Sequence, residues 1–298
     1  MQLFGVGNVL LYYREKKKFT QLQLCEGICN EMTMSRIETG EREFDSLISD
    51  TLLERLGKTT NRLEFVLNDE DYYYYLLREN IVKAVFDERF ELAKQYIKDY
   101  RNNIPKNHVL HEQFLLFYEA LIMKGENRSV KDIVSCLYHA INLTRADFRE
   151  QTTRLRLYSG IEIKIIFELF VYENYSYESM EAVFRYIDDV YDEEVKRQVL
   201  TPFLYEYAER YYGNENWYEL KKITQKAIEL LQGGRVYQYL LELHFMNLVA
   251  EYSMNPNSNQ LLQRCNAIYY MAMTVEDDDM MKKAECFCKE RLGCQITM

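Results

Sequence analysis

The chain has 298 residues, of which 48% are hydrophobic and 28% charged, a composition that excludes an intrinsically disordered protein. Its formal net charge of −10 argues against indiscriminate binding to nucleic acids, although it leaves room for a local basic surface. Because only 3 prolines and 11 glycines are available to interrupt helices, we expect an all-helical chain.

Signals for secretion or membrane insertion are lacking in the sequence. The first residues show no basic stretch followed by an apolar core, so we expect no signal peptide. No segment approaches the ~18 consecutive apolar residues of a membrane span. The 7 cysteines are odd in number and scattered, which indicates reduced thiols. We therefore expect a cytoplasmic protein with no membrane partner.

The first two helices are predicted within the first 26 residues. Residues 8–18 carry apolar side chains at helical spacing and end in a basic run. Thr20 is a suitable N-cap for the second helix, and Gln23 stands at the capping-box position three residues later. Residues 27–29 then form a turn.

A third short helix is predicted over residues 31–38, with Asn30 as its N-cap and Gly40 as a left-handed C-cap. Two short capped helices around a tight turn are typical of a helix-turn-helix. Residues 44–56 follow as an amphipathic helix that Gly57 ends.

The segment Thr20-Gln-x-Gln-Leu-Cys-Glu-x-Ile-Cys29, followed by Ser35-Arg36-Ile37-Glu38-x-Gly40, resembles the Xre or lambda-repressor type of DNA-binding domain. More narrowly, it resembles the peptide-pheromone-responsive transcription regulators of Gram-positive bacteria, the Rgg/PlcR-like (RRNPP) group. The resemblance covers residues 5–66, and over the rest of the chain it rests on architecture alone. It implies a helix-turn-helix DNA-binding domain with a linker helix over residues 1–66. A helical repeat domain over residues 67–298 would then bind peptide and dimerise.

The resemblance also implies which residues contact DNA. The recognition-helix side chains that face the major groove are Asn30, Glu31, Met32 and Arg36, and Gln21 approaches a phosphate. Arg36 is the best base reader, because a guanidinium can bond O6 and N7 of guanine together. Glu31 can accept from a cytosine amino group and Met32 can contact a thymine methyl. The candidate phosphate contacts are Arg14, Lys16, Lys17, Lys18 and Arg42.

These residues also have structural interpretations that stay open at this stage. The Glu31 carboxylate can complement the dipole at a helix N-terminus. The Arg36 side chain can pair with Glu38 or Glu43 at the surface. The lysines of residues 16–18 can form a solvated face.

Beyond the boundary, which we place near residues 57–68, the sequence alternates between helices and short breaks. The helices are predicted near residues 70–86, 88–103, 107–125, 129–145, 151–174, 177–191, 193–213, 216–232, 235–254, 257–275 and 278–292. Pro202 should kink or interrupt its helix. A small residue recurs beside a bulky apolar one, at Ala93, Ala140, Ala182, Ala227 and Ala267. Because this spacing is irregular and longer than the ~34 residues of tetratricopeptide (TPR) repeats, we expect a degenerate, TPR-like solenoid of paired antiparallel helices.

A stack of this kind curves into a concave groove that suits an extended peptide. The candidate peptide-binding residues are Tyr118, Tyr158, Glu162, Tyr207, Arg210, Tyr239 and Asn247. Packing within the solenoid, or a solvated face, is the alternative for each of them. Because the repeat region is acidic and rich in tyrosine, the peptide should have apolar side chains and a positive charge.

Motifs for catalysis or metal binding are missing from the sequence. We find no phosphate-binding loop, nucleophile elbow or zinc-protease motif. The pair His108 and His111 lies at a helix start, and Cys286, Cys288 and Cys294 form a thiol cluster whose members alternate around a helix. We therefore expect no enzyme, no cofactor and no metal.

The sequence thus predicts a DNA-binding transcription regulator, controlled by a short signalling peptide of the kind used in quorum sensing. Its partners would be a double-stranded DNA operator, the peptide and a second copy of the chain. The apolar face of residues 47–56 and the C-terminal helices are candidate dimer surfaces. Two alternatives remain open: a DNA-binding repressor whose repeat domain only dimerises, and a TPR-like protein–protein adaptor.

Overall fold

The computed structural model describes residues 5–42, 44–58, 69–104, 108–146, 148, 157–173, 181–232 and 239–296. Over these residues every regular element is a helix, as the composition predicted. The helices are α1 (Val6–Lys16), α2 (Gln21–Cys25), α3 (Glu31–Thr39), α4 (Ser46–Arg55), α5 (Asp69–Phe86), α6 (Phe90–Asn103), α7 (Val109–Gly125), α8 (Val130–Asn142), α9 (Gly160–Tyr172), α10 (Glu181–Val190), α11 (Glu193–Gly213), α12 (Trp217–Leu231), α13 (Leu240–Met254), α14 (Leu261–Thr274) and α15 (Asp278–Phe287). A π-helical turn, Cys288–Leu292, extends α15.

The helices gather into two compact units, Met1–Asp192 and Glu193–Met298. The first unit therefore contains both the segment that resembles a DNA-binding domain and the helices α5–α10. The sequence placed a domain boundary near residue 66. That position lies among residues 59–68, outside the described residues, and the boundary stays a prediction.

In the first unit, α1 and α2 pack against α3, and α4 packs against α1 and α2. Gly7 lets α1 approach α3 closely, because a Cβ atom there would lie only 2.0 Å from the carbonyl oxygen of Ile37. Leu52, Leu53 and Leu56 are at most 2% exposed. These three leucines are therefore not part of an apolar dimer surface as predicted over residues 47–56, because they are buried inside their own unit; Leu47 and Ile48 are half-buried.

The helices α5–α9 continue the first unit as packed neighbours in chain order, and α10 follows them in the same unit. Two of the predicted alanines lie in the cores of this unit: Ala93 of α6 and Ala140 of α8 are both 0% exposed. Serine caps decide where some of these helices begin. Ser159 accepts a hydrogen bond from the backbone N–H of Glu162, whose carboxylate accepts in return from the Ser159 N–H. This capping box starts α9 at Gly160, later than the sequence predicted.

The second unit consists of α11–α15, each packed on the next. Its core includes Ala227 at 0% exposure, as the sequence pattern predicted, but Cys265 takes the role expected of the exposed Ala267. Pro202 does not interrupt α11, which runs through it for 21 residues. None of the described helices is long and apolar enough to cross a membrane.

Candidate functional site

The two short helices α2 and α3 have the caps that the sequence predicted. Thr20 and Gln23 form a capping box at the start of α2. The Asn30 side chain accepts a hydrogen bond from the backbone N–H of Thr33 at 2.8 Å. Gly40 ends α3 in the left-handed conformation, with φ 78°. Because each of these interactions is local in sequence, the lengths of both helices are fixed by their own residues.

A buried carboxylate joins the first three helices to one another. Glu38 is 2% exposed and accepts hydrogen bonds from Arg14 of α1, at 2.5 and 2.9 Å, and from the Gln21 amide of α2, at 2.7 Å. Arg14 and Gln21 are therefore used to hold α3 in place rather than left free at the surface. Because the Glu38 carboxylate is bound by Arg14 and Gln21, it does not form the surface ion pair with Arg36 that the sequence left open. The other candidate partner of Arg36, Glu43, lies outside the described residues.

The outer face of α3 is open. Asn30, Glu31 and Arg36 are exposed, and Met32 is 68% exposed. Since Met32 and Arg36 are four residues apart, they lie on the same side of the helix. Among the described residues, Arg36 has no ion pair. The α3 helix thus presents a guanidinium and an apolar side chain together on a surface that none of the described residues of the first unit covers.

The basic side chains around this face differ in whether they already bind another group of the chain. Arg42 donates to the Thr33 hydroxyl at 3.3 Å, which places it beside α3. Lys16 is exposed, 5.9 Å from the centre of the Tyr12 ring. Lys17 instead donates a hydrogen bond to the backbone carbonyl of Val190, so the structure does not support its assignment as a phosphate contact.

A buried ion network, formed by Arg55, Arg145 and Glu162, connects this segment to the repeat helices of the first unit. Arg55 is fully buried and holds Glu162 through two contacts, at 2.7 and 3.3 Å. Its Nη1 also donates to the carbonyl oxygens of Leu24 and Glu26, at 2.9 and 2.7 Å, at the C-terminal end of α2. One side chain of α4 thus ties α2 to α9.

The second guanidinium of the network lies on the other side of Glu162. Arg145 is 1% exposed and lies 3.3 Å from Glu162 and 3.0 Å from the Glu26 carboxylate. Its guanidinium also stands over the Tyr158 ring at 5.4 Å. Burial by itself would raise the pKa of Glu162, but the two guanidinium groups lower it to about 2. The same burial lowers the pKa of Arg145.

The turn between α2 and α3 lies directly on the repeat helices. Gly27 has φ +73°, and a Cβ atom there would lie 2.0 Å from the carbonyl oxygen of Thr144, just beyond the end of α8. The Thr144 hydroxyl in turn donates to Glu162 at 2.6 Å. The position of α3 relative to α8 and α9 is therefore fixed by close backbone contact as well as by the ion network.

The structure separates the predicted peptide-binding residues into a buried group and a half-buried group. Glu162, Tyr207 and Asn247 are at most 1% exposed, so they do not line an open groove. Glu162 belongs to the ion network, and the Asn247 side chain bonds to Thr224 and Arg264, at 2.7 and 2.6 Å. The assignment of these three residues to peptide binding is therefore wrong, because buried side chains offer a peptide no accessible group.

The remaining four are half-buried. Tyr118 packs between two apolar clusters of the first unit, and Tyr158 lies against Arg145 and Tyr186. In the second unit, Tyr239 stacks on Tyr205 with ring centres 4.4 Å apart, and Arg210 lies on α11. The structure thus brings none of the seven together in one open site.

A cavity of about 490 Å³ lies in the second unit, between α11, α13 and α15 with its π-helical turn. It is lined by Tyr205, Glu209, Tyr212, Glu242, Phe245, Met246, Met280, Lys283, Cys286, Phe287, Glu290 and Arg291. Apolar side chains thus share the cavity with three carboxylates and two basic groups. The Tyr205 hydroxyl donates to Glu209 at 3.0 Å, which orients this carboxylate.

The candidate peptide-binding residues that the sequence predicted on α11 and α13 do not line this cavity, and none was predicted on α15. On α11 the predicted residues are Tyr207 and Arg210, whereas Tyr205, Glu209 and Tyr212 line the cavity. A shift of two residues turns a side chain by about 200° around the helix. The sequence pattern that indicates the cavity-facing side of α11 is the spacing of residues 205, 209 and 212, which places them on one face of the helix.

Comparison with known proteins gives matches only among solved structures: no protein-family model and no curated protein sequence matches the chain. PlcR from Bacillus thuringiensis, solved in complex with the peptide PapR7 and DNA, is 15% identical with a TM-score of 0.53, covering 94% of this chain and 98% of that one. ComR from S. thermophilus, in its apo form, is 16% identical with a TM-score of 0.49, covering 94% and 97%. The pheromone receptor Rgg2 from Streptococcus dysgalactiae is 12% identical with a TM-score of 0.46, covering 94% and 97%. The helical-repeat fold that the sequence predicted is confirmed: over nearly its whole length, the chain has the fold of PlcR.

Proposed function

We propose that the chain is a sequence-specific DNA-binding transcription regulator, controlled by a short signalling peptide that binds in the cavity of the second unit. The observation that carries the proposal is the open face of α3, where Arg36 and Met32 stand exposed on a helix held rigidly from behind by Glu38. The fold shared with PlcR, which was solved with peptide and DNA, supports both parts of the proposal.

In this proposal α3 enters the major groove. Arg36 bonds to guanine O6 and N7, Met32 contacts a thymine methyl and Glu31 accepts from a cytosine amino group. Asn30 sits at the edge of the same surface. Phosphates are contacted by Arg42 and Lys16, and by the backbone N–H groups at the start of α2 near Gln21.

The proposed regulator acts as a homodimer in the cytoplasm. Helix-turn-helix proteins read paired half-sites about 34 Å apart, so two copies of α3 are needed for a full operator. Since Leu52, Leu53 and Leu56 of α4 are buried, we expect the second copy to bind elsewhere on the chain.

The peptide proposed for the cavity has an apolar side chain and a positive charge. The volume of about 490 Å³ falls within the usual range for ligand pockets and accommodates one or two side chains of an extended peptide. Phe245, Met246 and Phe287 offer an apolar surface, while Glu209 and Glu242 favour a cationic group beside it.

The test of DNA reading begins with selection of DNA from a random-sequence pool by the full-length protein. We expect one enriched sequence with two related half-sites. Arg36→Ala should lose about 1–3 kcal/mol of binding free energy per half-site and relax the preference for guanine. Arg128→Ala, at an arginine 64% exposed near the start of α8, is the matched control and should bind as the wild type does.

Recovery of no preferred sequence would favour the adaptor function over DNA binding. The peptide is tested by purifying the protein from its host and identifying bound peptides by mass spectrometry. A synthetic copy should then change operator affinity, typically by a coupling of about 1–3 kcal/mol, and operator should change peptide affinity by the same factor. Absence of any bound peptide would favour a repressor whose repeat helices only dimerise.

A further inference from the structure

Three side chains with metal-binding atoms converge where α4 and α7 begin. Asp45 is the N-cap of α4, His108 is the N-cap residue of α7 and His111 lies in the first turn of α7. Their candidate ligand atoms all lie within 4.8 Å of one another. The Asp45 Oδ2 atom is 3.4 Å from Nε2 of His108 and 3.6 Å from Nε2 of His111.

Two imidazole nitrogens in this cluster are buried without a hydrogen-bond partner. His111 is 1% exposed, and its Nε2 atom, which faces Asp45, has no partner among the described residues. The Nδ1 atom of His108 is likewise buried and unpartnered. A buried polar atom without a partner costs free energy, so such atoms call for an explanation. An ion bound between the three side chains would satisfy the Nε2 atom of His111.

The cluster is held in position by neighbouring groups, as metal ligands are. Oδ1 of Asp45 accepts a hydrogen bond from the backbone N–H of Ile48 at 2.9 Å, which leaves Oδ2 facing the imidazoles. Nδ1 of His111 lies 2.5 Å from the Tyr100 hydroxyl, which in turn accepts from Arg78 at 3.2 Å. When Nδ1 carries the proton and donates to Tyr100, Nε2 is free to bind a cation. A hydrogen bond from the second ring nitrogen fixes the tautomer and the ring orientation of a ligating histidine.

We propose that Asp45, His108 and His111 form a binding site for a divalent transition-metal ion, and that Zn²⁺ binds there. Bonds from zinc to nitrogen or carboxylate oxygen measure about 2.0–2.2 Å, so tetrahedral ligand atoms stand about 3.4 Å apart. The two distances from Asp45 match this spacing. Two imidazoles and one carboxylate suit zinc far better than Mg²⁺ or Ca²⁺, which prefer oxygen ligands. A water molecule completes the fourth position.

The site joins two parts of the first unit that are distant in sequence. Asp45 starts the last of the four N-terminal helices, whereas both histidines start α7 among the repeat helices. The bound ion therefore links α4 to α7. Its ligands are different residues from those of the buried ion network. Because the ion binds the folded chain, it raises the midpoint of thermal unfolding.

The test uses the full-length protein, stripped of metal with a chelator and then titrated with Zn²⁺ against a chromogenic competitor. We expect one Zn²⁺ ion per chain and a higher unfolding temperature on binding. Asp45→Asn keeps an N-cap residue but loses the carboxylate, and His108→Gln removes an imidazole. Each should weaken Zn²⁺ binding by at least about tenfold. His139→Gln, at an exposed histidine of α8, is the matched control and should bind as the wild type does.

Substitution with Co²⁺ identifies the ligands directly. The proposal expects visible bands from nitrogen and oxygen ligands, and these bands should be lost in His108→Gln. A thiolate charge-transfer band in the near ultraviolet would assign the bound ion to cysteines and overturn the proposal. The proposal is also overturned if the wild type binds no Zn²⁺, or if both variants bind it as tightly as His139→Gln. Circular dichroism establishes whether each variant is folded. If Asp45→Asn is unfolded, the Zn²⁺ affinity of His108→Gln alone tests the proposal.

Discussion

Replacing Glu162 with glutamine should strongly destabilise the first unit. The substitution removes one negative charge and leaves two guanidinium groups, on Arg55 and Arg145, buried at 0% and 1% exposure without their shared carboxylate. The shape of the side chain is kept, and glutamine still serves at the third position of a capping box, so the start of α9 is preserved. The change therefore removes the charge and also places an amide N–H donor where the Glu162 Oε1 atom accepts from Arg55 and Thr144.

Two estimates of the magnitude agree. Removing one partner from a buried ion pair typically costs about 3–5 kcal/mol. The ordinary pKa of 4.5 falls to about 2 for Glu162 in the folded chain, which corresponds to about 3 kcal/mol of stability at neutral pH. Because the folded-state pKa is the lower one, this stability is present above about pH 4.5 and is lost as the pH falls towards 2.

The assay is urea unfolding followed by far-ultraviolet circular dichroism, at pH 7 and at a series of lower values. Glu162→Gln should lower the free energy of unfolding by about 3 kcal/mol at pH 7 and should lack the corresponding loss in acid. Glu91→Gln is the control, because Glu91 is 84% exposed and its one ion pair among the described residues is with Lys94. The effect of this control on the free energy of unfolding should stay within about 0.5 kcal/mol. A cost below about 1 kcal/mol for Glu162→Gln would refute the reasoning.

Three further results are expected. Lys16→Ala should reduce the slope of log binding constant against log salt concentration by about one. Lys17→Ala should leave this slope unchanged, because the Lys17 amine donates to the Val190 carbonyl. Equal slopes for the two variants would contradict this prediction. Gly27→Ala should destabilise the fold more than Gly40→Ala, since both have positive φ but only Gly27 meets a carbonyl oxygen at 2.0 Å, and unfolding midpoints in urea compare them directly. Phe245→Trp should narrow the cavity and weaken peptide binding without changing operator affinity in the absence of peptide. Fluorescence anisotropy measures both affinities, and an unchanged peptide affinity would place the peptide elsewhere.

The sequence by itself determined the helices that depend on local interactions. Thr20 with Gln23, and Asn30 with Thr33, lie three residues apart, so their caps can be read directly from the chain. The left-handed end at Gly40 and the all-helical character follow in the same way. The exposed position of Arg36 was also predicted, because the resemblance places it on the outer face of its helix.

Only the tertiary structure decided which polar residues are buried and which face of each repeat helix is open. Glu162 was predicted to bind peptide, but its partner Arg55 is 107 positions away in the chain, and no sequence pattern reveals that separation. The third side chain beside His108 and His111 was missed for the same reason, because Asp45 reaches them only through the packing of α4 on α7. Helical periodicity fixes how side chains are spaced around a helix. Which of those side chains face a neighbouring helix, and which face a cavity, depends on contacts between segments far apart in sequence, and those contacts exist only in the folded chain.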